Sequence, residues 1–240
     1  MITVHSDVVG SLLRPTALLN AQKQLAGGAI TAARFKVIED GAVDDAIALQ
    51  ENVGLEVVTD GEMRRQSFQS QMTAAVSGFG AFDLDAFLWG QWRDEHGVRK
   101  KPRPRRLGAI AKLKRLRFLS ADEFAYLKSK TKRIAKITIP SPSLWANFWS
   151  PRYSRDAYPT LDLFLADIVA ILRDEVAELA RLGATYIQID APHYGLLLDH
   201  ATRGFYEGLG WKLSDWLSMG IDLDNAVMAG FPRVTFGFHV

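Results

Sequence analysis

The sequence predicts an α/β protein built around a parallel sheet. The main observation is a unit that occurs twice along the chain: an amphipathic helix, a glycine, a short β-rich run and an acidic residue beside Gly or Pro. A helix followed by a strand, repeated, favours parallel pairing of the strands with helices packed on the sheet.

The first copy of this unit covers residues 32–62. Thr31 is a plausible N-cap, Gly54 can end the helix, and the β-rich run Leu55–Glu62 follows. Helical spacing predicts a buried side made of Ile38, Val43, Ile47 and Leu49.

The second copy has the clearer periodicity. Thr160 can cap a helix that Gly183 ends, and Thr185–Asp190 has the composition of a strand. The predicted buried side of this helix consists of Leu161, Phe164, Leu165, Ile168, Ile171, Leu172, Val176 and Leu179.

Three further runs are predicted strands: Thr3–Val9, Lys136–Pro140 and Val234–Val240. The total is then about five strands, whereas a (β/α)₈ barrel has eight strands and typically about 250 residues. We therefore predict an incomplete TIM (β/α)₈ barrel over residues 1–240. Because an incomplete barrel has an open sheet edge, self-association through that edge is expected.

Residues 79–132 do not follow the repeat, and they contain the basic runs Val98–Arg106 and Lys112–Arg117. We expect an irregular basic insertion within the barrel, with its charged side chains hydrated at the surface. Two alternatives stay open: capture of an anion, such as a polyglutamate tail, and binding of a nucleic acid. No aromatic residue is interleaved with the basic run, which argues against stacking on nucleic-acid bases.

The composition excludes several classes of protein. The 240 residues contain no cysteine, which excludes disulfides, a thiolate nucleophile and a zinc–sulfur site formed by this chain alone. The formal net charge of +2 does not point to a nucleic-acid or membrane partner. The sequence shows neither a secretory signal nor a membrane-spanning run, so a cytoplasmic location is expected.

Ligands of parallel α/β folds bind at the C-terminal ends of the strands. The residues at these ends, most of them polar, are therefore candidate site residues: Gly10, Ser11, Asp60, Glu62, Ser141, Ser143, Asp190 and His239. Each polar residue also has a purely structural interpretation as a turn former, a helix cap or, for the histidine, a core residue. A carboxylate at the end of a buried strand needs a partner, which favours a binding role for Asp190.

Two tryptophans, Trp145 and Trp149, follow the Ser-Pro-Ser turn after the third predicted strand. A flat heteroaromatic ligand could stack on them there, and packing in the core is the alternative. The sequence contains no phosphate-binding glycine loop, so nucleotide chemistry is not expected.

Five sequence blocks occur in the order seen in one known family. The blocks are Val9–Pro15, Gly54–Arg65, Thr138–Ser143, Ile187–Asp190 and Phe238–Val240. Together they resemble successive parts of the catalytic barrel of the cobalamin-independent methionine synthases, the 5-methyltetrahydropteroyltriglutamate–homocysteine methyltransferases. The resemblance extends over essentially the whole chain.

This resemblance implies a zinc-dependent methyltransferase that moves a methyl group from 5-methyltetrahydrofolate (polyglutamate) to the thiol of homocysteine, giving methionine. Zinc would hold the thiol as a thiolate, which is a usable nucleophile at neutral pH. The same resemblance implies three sets of substrate contacts: Gly10 and Ser11 to the amino acid, Glu62 and Asp190 to its ammonium group, and Trp145 or Trp149 to the pterin.

The resemblance also implies that His239 is the first zinc ligand, and here the chain departs from the family pattern. In the family this histidine begins a His-x-Cys pair, whereas this chain ends at Val240, one residue before that cysteine. In addition, Ala191 stands where relatives often have an acidic residue. One ligand does not build a four-coordinate zinc site, so we expect a truncated family member that is inactive alone.

Two alternative functions remain open from the sequence. One is zinc-dependent alkyl transfer to another thiol, such as coenzyme M, because only a few contacts decide the acceptor. The other is a non-catalytic barrel remnant that binds a ligand or a partner.

Overall fold

The structure is a computed structural model that describes residues 6–81, 92–94, 97–99, 107–208 and 212–240. Its strands β1 to β8 are, in chain order, Val57–Val58, Val76–Gly80, Trp92–Asp94, Gly97–Arg99, Gly108–Arg115, Ile134–Pro140, Tyr186–Asp190 and Thr235–His239. Four of them form a parallel sheet in the order β1-β6-β7-β8. The predicted parallel α/β fold is therefore confirmed.

The helices α1 to α8 are, in chain order, Thr16–Ala26, Ala32–Asn52, Ser70–Ala75, Ala121–Lys130, Leu161–Arg181, Pro192–Leu196, His200–Gly208 and Leu213–Met228. A 3₁₀ helix over Pro142–Phe148 directly follows β6. Within the described residues, no helix combines the length and the apolar character needed to cross a membrane.

Both predicted helix–strand units are present, and their caps form as expected. The Thr31 hydroxyl accepts a hydrogen bond from the Arg34 amide at 3.2 Å at the start of α2. The Thr160 hydroxyl accepts one from the Leu163 amide at 3.4 Å at the start of α5. These bonds satisfy backbone donors that have no partner within the first helical turn.

The predicted buried side of α5 is confirmed, because seven of its eight residues are buried and Leu161 is partly buried. In α2, Val43 and Ile47 are buried as predicted and Ile38 is only partly buried, but Leu49 is 57% exposed and that prediction was wrong. Residues two positions apart lie on nearly opposite faces of a helix, so Leu49 cannot share the face of Ile47. Gln50 is buried there instead, and its amide donates to the carbonyl of Thr59.

The apolar core consists of two clusters of buried side chains. The larger cluster joins α5 to the parallel sheet, where Ile137 and Ile139 of β6 and Ile187 and Ile189 of β7 are buried. The smaller cluster lies between α1, α2 and β1. The helices therefore cover the sheet and leave the C-terminal ends of the strands to form a site.

The first predicted strand, Thr3–Val9, is not observed over residues 6–9, and residues 1–5 lie outside the described part of the chain. The carbonyls of Val8 and Val9 accept hydrogen bonds from side chains of the sheet, those of Lys136 and Gln188. Side-chain hydrogen bonds thus hold the described part of this segment against the sheet.

The segment predicted to be an irregular insertion contains several regular elements. Antiparallel pairing joins β2 to β5 and β3 to β4, and α4 packs beside β6 and α2. Within the second basic run, Lys112 and Arg115 lie 3.6 and 3.0 Å from carboxylates of α5, those of Asp167 and Asp174. Residues 100–106 of the first basic run lie outside the described part of the chain.

Candidate functional site

A cleft of about 340 Å³ lies where the parallel strands end. Its walls are formed by Val9, Gly10, Ser11, Glu62, Phe68, Asp190, Pro192 and His239. Five of the seven residues that the family resemblance placed at the site thus lie around one cavity, although they come from distant parts of the chain. Val9, Phe68 and Pro192 were not singled out from the sequence.

The register of the parallel sheet places Asp190 beside His239. Pro140, Asp190 and His239 are partners across β6, β7 and β8, and each is the last residue of its strand. The Nδ1 atom of His239 lies 3.3 Å from Oδ1 of Asp190. The amide of Ala191 also donates to the carbonyl of His239 at 2.7 Å, which continues the ladder past the strand ends.

A tight turn after β1 directs Glu62 into the cleft. Glu62 has φ +54°, in the left-handed region that residues with a Cβ rarely adopt, and it follows Gly61 at φ +66°. The side chains of Thr59 and Asp60 hold this turn by accepting the amides of Gly61 and Glu62 at 3.0 and 2.9 Å. Strained backbone of this kind is often retained at functional sites.

The carboxylate of Glu62 is fixed by three donors. The hydroxyl of Ser11 donates to Oε2, while the hydroxyl of Thr138 and the guanidinium of Arg65 donate to Oε1 at 2.7 and 3.3 Å. A Cβ atom on Gly10 would lie 2.7 Å from Glu62 Oε1, so only glycine fits there. The carboxylate is therefore preorganised before any ligand binds.

Arg65 is a buried cation behind Glu62 that the residue-type argument did not single out. Its side chain is 1% exposed, and its Nε donates to Glu123 at 2.9 Å. Burial alone would lower the pKa of its guanidinium, but the carboxylates of Glu123 and Glu62 raise that pKa above its usual value. The only signal for Arg65 in the sequence was its position at the end of the block Gly54–Arg65.

The carboxylate of Asp190 is also almost fully buried. Burial raises its pKa to about 6; the hydrogen bond from Gln188 acts against the shift, and nearby Glu62 adds to it. Burial and the charge of Glu123 likewise raise the pKa of Asp60 to about 6. Because the described cleft wall contains two carboxylates, Glu62 and Asp190, and no lysine or arginine, it favours a positively charged ligand group.

The two tryptophans proposed to face a pterin do not line this cleft. Trp145 is fully buried, with ring centroids 4.6 Å from Phe148 and 5.8 Å from Phe79. Trp149 is partly buried, and its indole N–H donates to the carbonyl of Tyr158 at 2.9 Å. The arrangement of Trp145 fits core packing, whereas contact of either ring with a pterin stays a prediction.

The serines of the Ser-Pro-Ser turn belong to a buried polar network behind the cleft. Ser141 donates to Asp224 at 2.7 Å, and Ser143 shares a hydrogen bond of 2.8 Å with Nε2 of His193. Burial lowers the pKa of His193 to about 3, so its imidazole is neutral. The hydroxyl of Tyr194 donates to Asp224 and completes the link between α6 and α8.

Comparison with known proteins identifies the family. Residues 3–212 match the family described as "Cobalamin-independent synthase, Catalytic domain". The chain belongs to this family. A methionine synthase of Pyrococcus abyssi is 28% identical over 236 residues, which cover 98% of this chain and 60% of the relative. The chain thus spans less than two thirds of that relative's length.

Solved structures with family names share the fold. A putative vitamin-B12-independent methionine synthase from Listeria monocytogenes has a TM-score of 0.73 and 19% identity, covering 99% of this chain and 65% of that protein. A B12-independent methionine synthase from a Shewanella species, in complex with selenomethionine, has a TM-score of 0.62 and 17% identity. That similarity covers 88% of this chain and 53% of that protein.

Membership of the cobalamin-independent synthase family implies a bound zinc ion. The side chains that the structure describes do not form a zinc site on their own. Among these residues, no three His, Asp or Glu side chains are grouped as metal ligands, and the sequence contains no cysteine. Structural and catalytic zinc sites use at least three protein ligands. The assignment of His239 as a zinc ligand therefore stays a prediction.

Proposed function

We propose that this chain binds the amino-acid substrate of a methyltransferase, and that the reaction is methyl transfer from 5-methyltetrahydrofolate (polyglutamate) to the thiol of homocysteine, giving methionine. The observation that carries this proposal is the pair of preorganised carboxylates, Glu62 and Asp190, on one small cleft. Family membership supplies the reaction type.

The ammonium group of an amino acid matches this pair electrostatically. An ammonium group has three N–H donors, and carboxylates are acceptors only. An ion pair roughly 4 Å apart is worth about 4 kcal/mol at an effective dielectric constant near 20, typical of a site near the protein surface. We therefore assign Glu62 and Asp190 to the ammonium group of the substrate and of the product.

The size of the cleft and one relative support a small amino acid as ligand. A cavity of about 340 Å³ lies at the small end of the range for small-molecule sites. The Shewanella relative is in complex with selenomethionine, which is an analogue of the proposed product. Gly10 and Ser11 form the wall next to Glu62, where we place the amino-acid backbone.

The chemical step itself needs groups beyond those described. Homocysteine must lose its thiol proton to become a nucleophile, and in this family proposal zinc supplies that activation. The described side chains do not form a zinc site on their own. The proposal for this chain is therefore the binding and orientation of the amino acid.

The charge of the cleft distinguishes an amino-acid acceptor from coenzyme M. Coenzyme M carries a sulfonate and no ammonium group, so Glu62 and Asp190 would repel it; an amino-acid acceptor is favoured. A second candidate function is binding of an amino acid without transfer of a methyl group. Both candidates require the same ammonium site.

Isothermal titration with L-methionine tests the ammonium site. We expect Glu62→Gln and Asp190→Asn each to weaken binding at least about tenfold, because each removes a charged partner of the ammonium group. Asp222→Asn is the matched control, since Asp222 is an exposed carboxylate on α8 and its change should leave affinity unaltered. Equal affinity of all four proteins would contradict the proposal.

A further inference from the structure

Lys136 on β6 is a fully buried lysine next to the cleft. Its ammonium nitrogen lies 2.6 Å from the carbonyl oxygen of Val8, 2.8 Å from Oε1 of Gln188 and 3.1 Å from Oδ2 of Asp7. The carbonyl oxygen of Val9 also lies 3.4 Å from this nitrogen, so acceptors surround all three N–H donors of the ammonium group. Burial lowers the pKa of this lysine, whereas the Asp7 carboxylate acts against the shift.

Lys136 is one of three neighbours that fix which way the side-chain amide of Gln188 points. An ammonium group only donates, so the amide must present its oxygen, Oε1, to Lys136. Its NH₂ group then points the opposite way and donates to the carbonyl of Val9 and to Oδ1 of Asp190, each at 2.6 Å. A rotated amide would set its oxygen against two acceptors, which is unfavourable.

The amide in turn fixes the carboxylate that faces the ligand. Among the described residues, both Gln188 and His239 approach Asp190 at Oδ1. These two contacts restrain Oδ1, and we assign Oδ2 to the ligand because Asp190 lines the cleft. A group held by a hydrogen-bonded neighbour keeps its geometry better than one held by packing alone.

We propose that Lys136 is a positioning residue for the ammonium-binding carboxylate of Asp190, acting through the side-chain amide of Gln188. This inference rests on the proposed function, since it assigns a role within the same ammonium site. Lys136 does not touch the cleft itself, because its side chain has no exposed surface.

A second role of Lys136 has to be separated from this one. Its bond to the Val8 carbonyl also holds the segment that continues into Val9 and Gly10, which form the cleft wall. Loss of that contact would disturb any ligand. Loss of the contacts that run from Lys136 through Gln188 to Asp190 would weaken the binding only of ligands that carry an ammonium group.

A pair of ligands distinguishes the two roles. L-methionine and 4-(methylsulfanyl)butanoate differ only in the α-ammonium group, and both are titrated calorimetrically into the wild type and Lys136→Met. We expect the substitution to weaken the binding of L-methionine at least about tenfold. It should change the affinity for the des-amino ligand less than about twofold. Equal weakening of both ligands, or no weakening of L-methionine, would overturn the proposal.

Gln188→Leu tests the link between Lys136 and Asp190 directly, because it removes the amide that contacts both. This variant should show the same ligand selectivity, and the double variant with Lys136→Met should lose no further affinity, because the residues act in series. Additive losses of affinity in the double variant would contradict an action of Lys136 through Gln188. If Lys136→Met does not fold, the ligand selectivity of Gln188→Leu decides the question.

A measurement without ligand keeps this inference separate from the proposed function. The side-chain amide signals of Gln188, assigned by their absence in Gln188→Leu, should shift in ¹H–¹⁵N spectra of Lys136→Met but not of Lys114→Met, an exposed lysine on β5. Unchanged signals in Lys136→Met would overturn the inference. If the wild type binds no L-methionine, the proposed function fails, while shifted signals still establish the coupling of Lys136 to Gln188.

Discussion

At the scale of single residues, the contact between Gly10 and Glu62 sets the shape of the candidate site. The carboxylate of Glu62 occupies the space in which any larger residue at position 10 would place its Cβ. The same carboxylate is held by Ser11, Thr138 and Arg65, so it cannot move without breaking buried hydrogen bonds. A larger residue at position 10 therefore tests how rigid the site is.

We expect Gly10→Ala to lower the free energy of unfolding by about 1–3 kcal/mol, the usual cost of overpacking a buried site. It should also weaken L-methionine, because Glu62 is displaced. Urea unfolding and calorimetry measure the two effects. Gly41→Ala on α2 is the control, since nothing lies near its added Cβ, and it should raise stability by about 0.5–1 kcal/mol. A Gly10→Ala protein of unchanged stability and affinity would show that the site is not rigid.

The strand-end argument named Gly10, Ser11, Glu62, Asp190 and His239, which line the cleft, but it also named Asp60, Ser141 and Ser143, which are not among the residues of its wall. The supporting residues could not be found in the same way. Lys136 contacts Val8, which is 128 positions away in the sequence, and Arg65 meets Thr138 across 73 positions. No local pattern encodes such contacts, because they exist only once the strands are paired.

At the scale of elements, the 3₁₀ helix after β6 is tied to α6 and α8 by buried polar groups. His193 on α6 lies against Ser143 of the 3₁₀ helix, with its ring close to Tyr194 and Trp216. Because α6 begins at Pro192, a residue of the cleft wall, this packing supports the cleft from behind.

The buried imidazole of His193 predicts a pH dependence of stability. Its pKa is about 3 in the folded protein, whereas an exposed histidine has a pKa of about 6.5. Below pH 6.5 the unfolded chain binds a proton that the folded protein does not. Stability should therefore fall as the pH drops from about 6.5 towards 3, by up to about 1.4 kcal/mol per pH unit from this residue.

Urea unfolding of the wild type and His193→Gln between pH 7 and pH 4 tests this dependence. The difference between the two curves isolates His193, because the nearby carboxylate of Asp224 and its hydrogen bonds from Ser141 and Tyr194 are present in both proteins. The stability of the variant should fall less steeply with decreasing pH. Parallel curves for wild type and His193→Gln would contradict a neutral, buried imidazole.

The elements themselves were predictable where one face dominated the pattern. The helix α5 has a continuous apolar face and a Thr cap, and both features appeared as predicted. In α2, Leu49 is apolar but exposed while the polar Gln50 is buried, because Gln50 satisfies the backbone of Thr59. Hydrophobicity alone could not reveal that Leu49 is exposed and Gln50 is buried. Nor could it decide whether Trp145 packs in the core or binds a ligand.

At the scale of the whole molecule, the sheet order brings residues from both ends of the chain to one cleft. Val9 and His239 both line it, although they are separated by nearly the full sequence. The repeated helix–strand unit predicted the parallel pairing of these strands, and solved structures with family names share the fold. Among the described residues, β1 and β8 each have one neighbouring strand, and self-association through such an edge stays a prediction.

The most direct test of the ammonium site is a crystal structure of the chain with L-methionine bound. We predict that the ligand occupies the cleft next to Gly10 and Ser11. Its ammonium nitrogen should lie within about 3 Å of carboxylate oxygens of both Glu62 and Asp190. Methionine bound in the cleft with its ammonium group directed away from both carboxylates, or bound elsewhere on the molecule, would contradict the proposed function.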